Sequence, residues 1–398
     1  MSSPTSSGLD GVVVADTRLS DVDGERGRLV IVGRDVESLA PGTAFETLCD
    51  ALWETSDARA ALGLARVAAW ERLPRIAATL EADDGMDALR GAVAQLPGVM
   101  DDPALVTGAT AVFAAAWARR RAGGAAAAPD PALTLAEDFL RMARGVDATA
   151  AERDALDAYL VTVSDHGMNA STFAARVVAS TGSDMVSAVT AALGALKGPL
   201  HGGAPGPVLD MLDAVGSPER AAAWLEAELA SGRRIMGMGH RIYRVRDPRA
   251  AVFERALERL EAAGVSSGRL ALARAVERAA EGVLRARHPS RPLHANVEFY
   301  TAVLLDALRL PRGLFTLTFA VGRSAGWCAH VREQRAGGRL IRPASRYVGA
   351  APRRGRSPPT GTTPAAPPPP RAPPPPRAPR RSGPPAPPSR ASRRTARR

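Results

Sequence analysis

From about Ala44 to Gly194 apolar residues recur every three or four positions, interrupted by prolines and glycines, and alanine and leucine supply most of them. Both are strong helix formers, and the spacing predicts a succession of amphipathic helices. Leu133–Gly145 and Ala150–Val163 are two of these, and Ser183 begins another with Asp184 well placed near its N-terminus. Ala122-Gly-Gly-Ala-Ala-Ala-Ala-Pro-Asp-Pro reads as an exposed loop. Farther on, Ser217-Pro218-Glu219 and Asp247-Pro248-Arg249 each set a capping side chain before a proline at the first helical position, with Gly232 and Gly264 closing the two helices. Helices follow over 268–286, 297–309 and 313–335. Strand signals are confined to Val12–Val14 and Leu29–Val32, which predict one small N-terminal hairpin. The expected class is all-α.

After Gly349 this patterning stops. Proline, arginine, alanine, serine, threonine and glycine make up the rest, with Pro367–Pro370 and Pro373–Pro376 as unbroken runs. Such a segment buries too little apolar surface to offset chain entropy, so 350–398 is expected to be a disordered tail of polyproline II character. Charge changes the picture in the same place. The net charge of +11 includes twelve tail arginines and no tail acid, which leaves −1 for the body. The basicity is therefore the tail's, and the body lacks the footprint of a nucleic-acid binder. The tail could bind phosphates, but it has no aromatic side chain for base stacking. Its sudden loss of acidic residues, in a chain whose one lysine is Lys197, is what a frameshift in GC-rich DNA would produce; the expected native end is soon after Tyr347-Val-Gly.

A chain of 398 residues with 45% hydrophobic content can bury one large core or two ordinary ones, although aromatics are only 4%. The two cysteines, Cys49 and Cys328, have no metal-type spacing, and a reducing cytoplasm is the expected location. The opening Met1–Ser7 run has neither the basic nor the apolar region of a secretory signal. No apolar run approaches the roughly 20 residues that span a bilayer.

The candidate chemistry lies in three runs: Gly194-Ala-Leu-Lys-Gly-Pro-Leu-His201-Gly-Gly, Gly237-Met-Gly-His240-Arg-Ile-Tyr-Arg and Asn296-Val-Glu298-Phe-Tyr. Histidines among glycines leave room for a ligand beside the ring. His166 has a similar polar setting, whereas His288, His294 and His330 read as structural. No H-x-x-x-H or H-E-x-x-H pattern suggests zinc. Arg249 opens a helix, where the dipole disfavours a cation unless an anion is held there too. Arg323 interrupts an apolar run and Arg342 follows Leu340-Ile341. Three arginines beside acid–base candidates imply a substrate with more than one carboxylate.

These runs, together with Asp165-His166-Gly-Met-Asn169-Ala-Ser-Thr-Phe, Asp247-Pro-Arg249-Ala, Arg323-x-x-Gly-Trp327-x-x-His330 and Arg342-Pro, stand in the order found in citrate synthases. Over about residues 8–349 the chain resembles that family. The resemblance implies a two-domain helical fold. A large domain would take 8–202 and 306–349, and a small one 203–305. It implies condensation of acetyl-CoA, as co-substrate, with oxaloacetate, with no permanently bound cofactor and no metal. His201, His240 and Glu298 would be catalytic; His166, Arg249, Arg323 and Arg342 would hold oxaloacetate, Arg342 from the partner subunit of a homodimer. Met236, Gly237, Met238, Gly239, Arg244 and Arg291 match coenzyme A contacts. Glu298 departs from the family's aspartate: one added methylene moves the base by about 1 Å, enough to cost on the order of 100-fold if uncompensated. The expected activity is that of a citrate synthase. The alternatives are a 2-methylcitrate synthase using propionyl-CoA, which the sequence does not separate from it, and a low-activity paralogue.

Overall fold

The structure, a computed structural model, describes residues 7–9, 11–98, 101–202, 205–265, 268–287, 289 and 293–350. The chain divides into Met1–Pro343, which carries every element, and Ala344–Arg398. Of the second unit, residues 344–350 are described and have no regular secondary structure; the expected tail is otherwise outside the described residues.

A three-stranded antiparallel sheet comes first: β1 Ser20–Asp23, β2 Arg28–Ile31 and β3 Arg34–Asp35, in that order. Asp21 pairs with Val30 and Ile31 with Arg34. The hairpin expectation thus holds for β2 but not for its partner. Val12–Val14 form no strand; Val13 is 83% exposed, and a β-branched run without a sheet face to bury has nothing to pair with. Sixteen α-helices follow among the described residues: α1 Val36–Leu39, α2 Phe45–Trp53, α3 Ala58–Trp70, α4 Leu73–Ile76, α5 Gly85–Val93, α6 Pro103–Arg121, α7 Leu135–Arg144, α8 Ala150–Val163, α9 Ala170–Ser180, α10 Met185–Leu196, α11 Pro205–Val215, α12 Ala221–Ala230, α13 Pro248–Ala262, α14 Arg269–Arg287, α15 Val297–Ala307 and α16 Phe315–Gly337.

The caps explain many boundaries. Thr149 and Glu152 form a reciprocal capping box at α8. Asp184 accepts from the Ser187 N–H, so α10 starts at Met185 rather than Ser183. Ser217 makes no side-chain cap bond; a 3₁₀ turn, Pro218–Arg220, leads into α12 instead.

Helix α6 is buried on all sides from Pro103 to Ala118 except at Leu105, and it packs on α3, α5, α7 and α16. Small residues let the helices approach: a Cβ on Gly108 would come 2.9 Å from the Ala65 Cβ. The same device sets α16 against the end of α8. A Cβ at Gly326 would meet the Ser164 carbonyl at 2.1 Å, and one at Gly322 would meet Val163 Cγ2 at 2.7 Å. Substitution at Gly326 would push against backbone, which cannot yield as a side chain can. This contact brings residue 323 beside the loop that follows α8.

Candidate active site

The first wall of the site is the loop between α8 and α9. The buried Asp165 carboxylate accepts from the His166 N–H at 2.7 Å and from His330 Nε2 at 3.0 Å. Arg176 donates to His330 Nδ1 at 2.7 Å, so the ring proton of His330 lies on Nε2, facing Asp165. His330 is thus a structural link. Burial would raise the Asp165 pKa, but His330 and Arg323 outweigh it and hold the group below its ordinary value. Gly167 has a φ of +60° and donates to Ser20 Oγ at 3.0 Å, which ties this loop to the hairpin.

His201 follows α10 in a turn, its N–H bonded to the Gly198 carbonyl at 2.9 Å. Its Nε2 lies 2.8 Å from Ser171 Oγ, to which Trp327 Nε1 also donates at 3.1 Å. Burial first, then the Arg323 charge, lowers its pKa to about 4. The ring is neutral at pH 7.

His240 and Glu298 meet through their backbones. Met238 and Ala295 form an antiparallel bridge, the Gly239 N–H donates to the His294 carbonyl at 2.7 Å, and Asn296 N–H donates to the Gly237 carbonyl at 2.9 Å. Gly237 and Gly239 adopt φ of +73° and +87°, which side chains with a Cβ rarely hold. Asn296 then caps α15 by accepting from the Glu298 N–H at 3.0 Å, while its amide donates to the Gly239 carbonyl at 2.9 Å. One asparagine therefore fixes both the start of the Glu298 helix and the glycine loop.

The N–H groups of Ile242 and Tyr243 both donate to His240 Nδ1 at 3.0 Å. That nitrogen carries no proton, and the neutral ring is the Nε2–H tautomer; Arg249 Nη2 also stands 3.4 Å from Nε2, a longer and weaker approach than the two at Nδ1. Burial and Arg249 lower its pKa to about 4. Glu298 is half-buried, and burial raises its carboxyl to about 7, with Asp247 adding to the rise while Arg249 and Arg323 oppose it.

The two arginines differ in supply. Arg249 is held by both oxygens of Asp247, at 2.9 and 2.7 Å, and lies 5.9 Å over the Tyr243 ring. Arg323 is 1% exposed. Among the described residues its hydrogen-bond acceptor is the Val163 carbonyl, at 2.5 Å, and it lies 4.6 Å over the Phe319 ring. Burial lowers it to about 10. A buried cation with so few acceptors has capacity for an anion.

The fold brings His166, His201, His240, Glu298, Arg249 and Arg323 into one electrostatic neighbourhood: His166 is depressed by burial and then by Arg249, Arg323, His240 and His201. The rings of His166 and His240 are 5.8 Å apart. Among known proteins, a family model described as citrate synthase, C-terminal domain, matches residues 8–344.

The chain belongs to the citrate synthase family.

A putative citrate synthase 2 of Mycobacterium tuberculosis is 50% identical over 200 residues, 50% of this chain and 52% of that protein; the chain thus matches about half the length of this relative. A citrate synthase of Haloferax volcanii is 36% identical over 88% of this chain and 97% of its own. A 2-methylcitrate synthase of Mycobacterium tuberculosis is 37% identical over 86% and 90%. The crystal structure of the Thermotoga maritima citrate synthase superposes with a TM-score of 0.75 at 32% identity, covering 86% of this chain and 96% of that one. A Thermoplasma acidophilum citrate synthase, solved as a ternary complex with carboxymethyl coenzyme A and oxaloacetate, gives 0.76 at 28% identity, covering 87% and 97%.

Not every citrate synthase motif converges here. Arg342 is exposed on the segment after α16, beside a groove of ≈ 740 Å³ that Arg176 and Glu333 also line, and no described residue hydrogen-bonds it. Met236 is half-buried and Arg244 is tied to the hairpin through its N–H and the Gly24 carbonyl at 2.9 Å. Arg291 lies outside the described residues, as does His288. Sequence reasoning missed Tyr243, Ser171, Asp247 and Asn296 as working parts. Each stands inside a quoted motif; Ser171, the Tyr243 hydroxyl and the Asn296 amide act on partners far away in sequence, whereas Asp247 holds Arg249 two positions on.

Proposed function

We propose that this chain condenses acetyl-CoA with oxaloacetate to give citrate and coenzyme A. The observation that carries this is the antiparallel pairing of the His240 loop with the segment before Glu298, which ties the backbone that holds an Nε2–H donor to the start of the helix that carries a carboxyl with a pKa near 7. The ternary complex of the Thermoplasma relative, with its oxaloacetate and carboxymethyl coenzyme A, supports the choice of substrates.

Glu298 removes a proton from the acetyl methyl group. His201 donates a hydrogen bond to the developing enol oxygen, as a neutral ring. For this, Ser171 must turn its hydroxyl proton to His201 Nε2, leaving the ring's own proton on Nδ1; Asn169 Oδ1 still receives the N–H groups of Ser171 and Thr172. The enol carbon attacks the keto carbon of oxaloacetate, whose oxygen His240 polarises and protonates. Water then hydrolyses the thioester. His166, Arg249 and Arg323 bind the two carboxylates, and Arg342 joins them from the partner subunit of a homodimer. Met236, Gly237, Met238, Gly239, Arg244 and Arg291 bind coenzyme A. Residues 203–305 act as a smaller domain that closes on the remainder of 8–349 and excludes water. Positioned acid–base groups of this kind each contribute about 10²–10⁴-fold.

The 2-methylcitrate synthase relative, at 37% identity beside the 36% of the Haloferax volcanii citrate synthase, supports a second reading in which propionyl-CoA is the acyl donor. One methyl group in a pocket changes binding by about 1–3 kcal/mol, so discrimination is a matter of degree. Thiol release from acetyl-CoA and propionyl-CoA, measured with saturating oxaloacetate, tests both. We expect the higher kcat/KM with acetyl-CoA. A propionyl preference would select the second reading, and no oxaloacetate-dependent release from either would overturn both.

A further inference from the structure

Tyr243 is the buried group at the site that the mechanism leaves unused. Its hydroxyl lies 3.0 Å from His166 Nε2, its ring is 4.8 Å from that of His240, and its backbone N–H donates to His240 Nδ1 at 3.0 Å. One residue thus touches both histidines, which come from loops 74 positions apart. Burial holds its phenol above the ordinary value, so the hydroxyl keeps its proton at neutral pH.

The protons can be assigned in turn. His240 receives two N–H groups at Nδ1, so its own proton is on Nε2. At His166 the hydroxyl and Nε2 share one proton, and no described residue bonds Nδ1. An ionised carboxylate is an acceptor only. Held at Nδ1, it requires a proton there, which leaves Nε2 bare and makes Tyr243 the donor. The reverse arrangement, Nε2–H to the phenol oxygen, would turn a lone pair toward the anion.

We propose that Tyr243 is a positioning residue that sets the tautomers of both histidines, of His166 through its hydroxyl and of His240 through its backbone N–H, so that each presents an N–H to one dianionic substrate. This rests on reading His166 and His240 as oxaloacetate-binding groups. Its two arms are separable: phenylalanine keeps the ring and the backbone N–H and removes only the hydroxyl. The hydroxyl bond also joins the His240 loop to the α8–α9 loop, so the donor at His166 is defined only while the two loops are together.

The test is Tyr243→Phe in the full chain, with ¹⁵N-labelled histidine and long-range H–N correlation spectra that distinguish the tautomers. In the wild type we expect His166 as Nδ1–H and His240 as Nε2–H. In the variant His240 is unchanged and His166 loses its single tautomer, while KM for oxaloacetate rises about 10-fold and kcat stays within about 3-fold. A wild-type His166 protonated on Nε2 overturns the proposal, as does a variant with unchanged His166 spectrum and KM. If the variant does not fold, the wild-type spectrum, assigned by the signal lost in His166→Asn, decides alone. If the enzyme makes no citrate or methylcitrate, the functional reading fails while the spectra still judge the tautomers.

Discussion

Arg66 and Arg323 are both sealed from solvent, at 0% and 1% exposure, yet their surroundings differ in kind. Arg66 donates to Asp138 at 2.8 Å and to the carbonyls of Asp130 and Leu133 at 3.0 and 2.9 Å. It closes the loop before α7 onto α3, and its charge is neutralised inside the protein. Arg323 has one carbonyl and an aromatic face; burial depresses it most, the Asp165 charge opposes that from beyond hydrogen-bond distance, and Arg249 adds repulsion. The difference is one of charge pairing: Arg66 donates to a buried carboxylate, although its Nη1 finds no partner, whereas Arg323 donates to no carboxylate among the described residues. An arginine cannot escape the problem by losing its proton, as a carboxyl can by gaining one.

The largest effect expected is at Glu298. Glu298→Gln should lower kcat by about 10³-fold while leaving oxaloacetate binding, read by titration calorimetry, within a few-fold. Comparable kcat in the variant would remove Glu298 from the chemistry. The two arginines should then respond oppositely to the same substitution. Arg66→Met leaves the buried Asp138 with Arg141, at 2.6 Å, as its remaining charged partner, and should cost at most about 3–5 kcal/mol of stability without changing kcat/KM of the folded enzyme. Arg323→Met removes an undersupplied cation, so Tm should hold or rise, while oxaloacetate affinity falls about 100-fold. Equal losses of Tm in the two variants would dissolve the distinction.

A smaller effect appears in the pH profile. Glu298 is raised to about 7, so the acid form prevails below that pH and the base is lost as pH falls. The profile of kcat/KM should climb about tenfold per unit up to pH 7 and then level. A flat profile between pH 5 and 7 would contradict the raised carboxyl. The smallest effect concerns Asp157, a buried carboxyl that accepts from the Phe45 N–H at 3.0 Å and that burial and Glu46 push up to about 7. Its folded pKa exceeds the unfolded value, so the stability that this one group contributes is fully present below about pH 4 and is lost as pH rises toward 7. Asp157→Asn retains the acceptor oxygen and should raise Tm by a few degrees at pH 8 and not at pH 4. Differential scanning calorimetry at both values decides this.

The sequence showed the helices clearly where caps and breakers coincide, as at Thr149-x-x-Glu152 and Asp247-Pro248. It misled at Val12–Val14, where β-branched residues were read as a strand although no apolar sheet face was available to them; the pairing partner of β2 is the polar Ser20–Asp23, whose register is set by the turn at Gly24–Gly27. The reactive side chains were legible because histidine between glycines is locally unusual. Their supports were not. Nothing near Ser171 announces a bond to His201, and nothing near Arg66 announces Asp138, because both depend on helix packing that local pattern does not encode.

The N-terminal hairpin grips both walls of the site: Ser20 bonds Gly167, and Gly24 bonds Arg244. Nearby, the Arg18 N–H bonds Glu333 across 315 positions. Read as a timetable of synthesis, this means that the segment around Arg18 waits for a partner made 315 positions later. At about 5–20 residues per second the interval is roughly 15–60 s. The hairpin spends it without the partners that dock it on the two loops, so the cleft is completed late in synthesis.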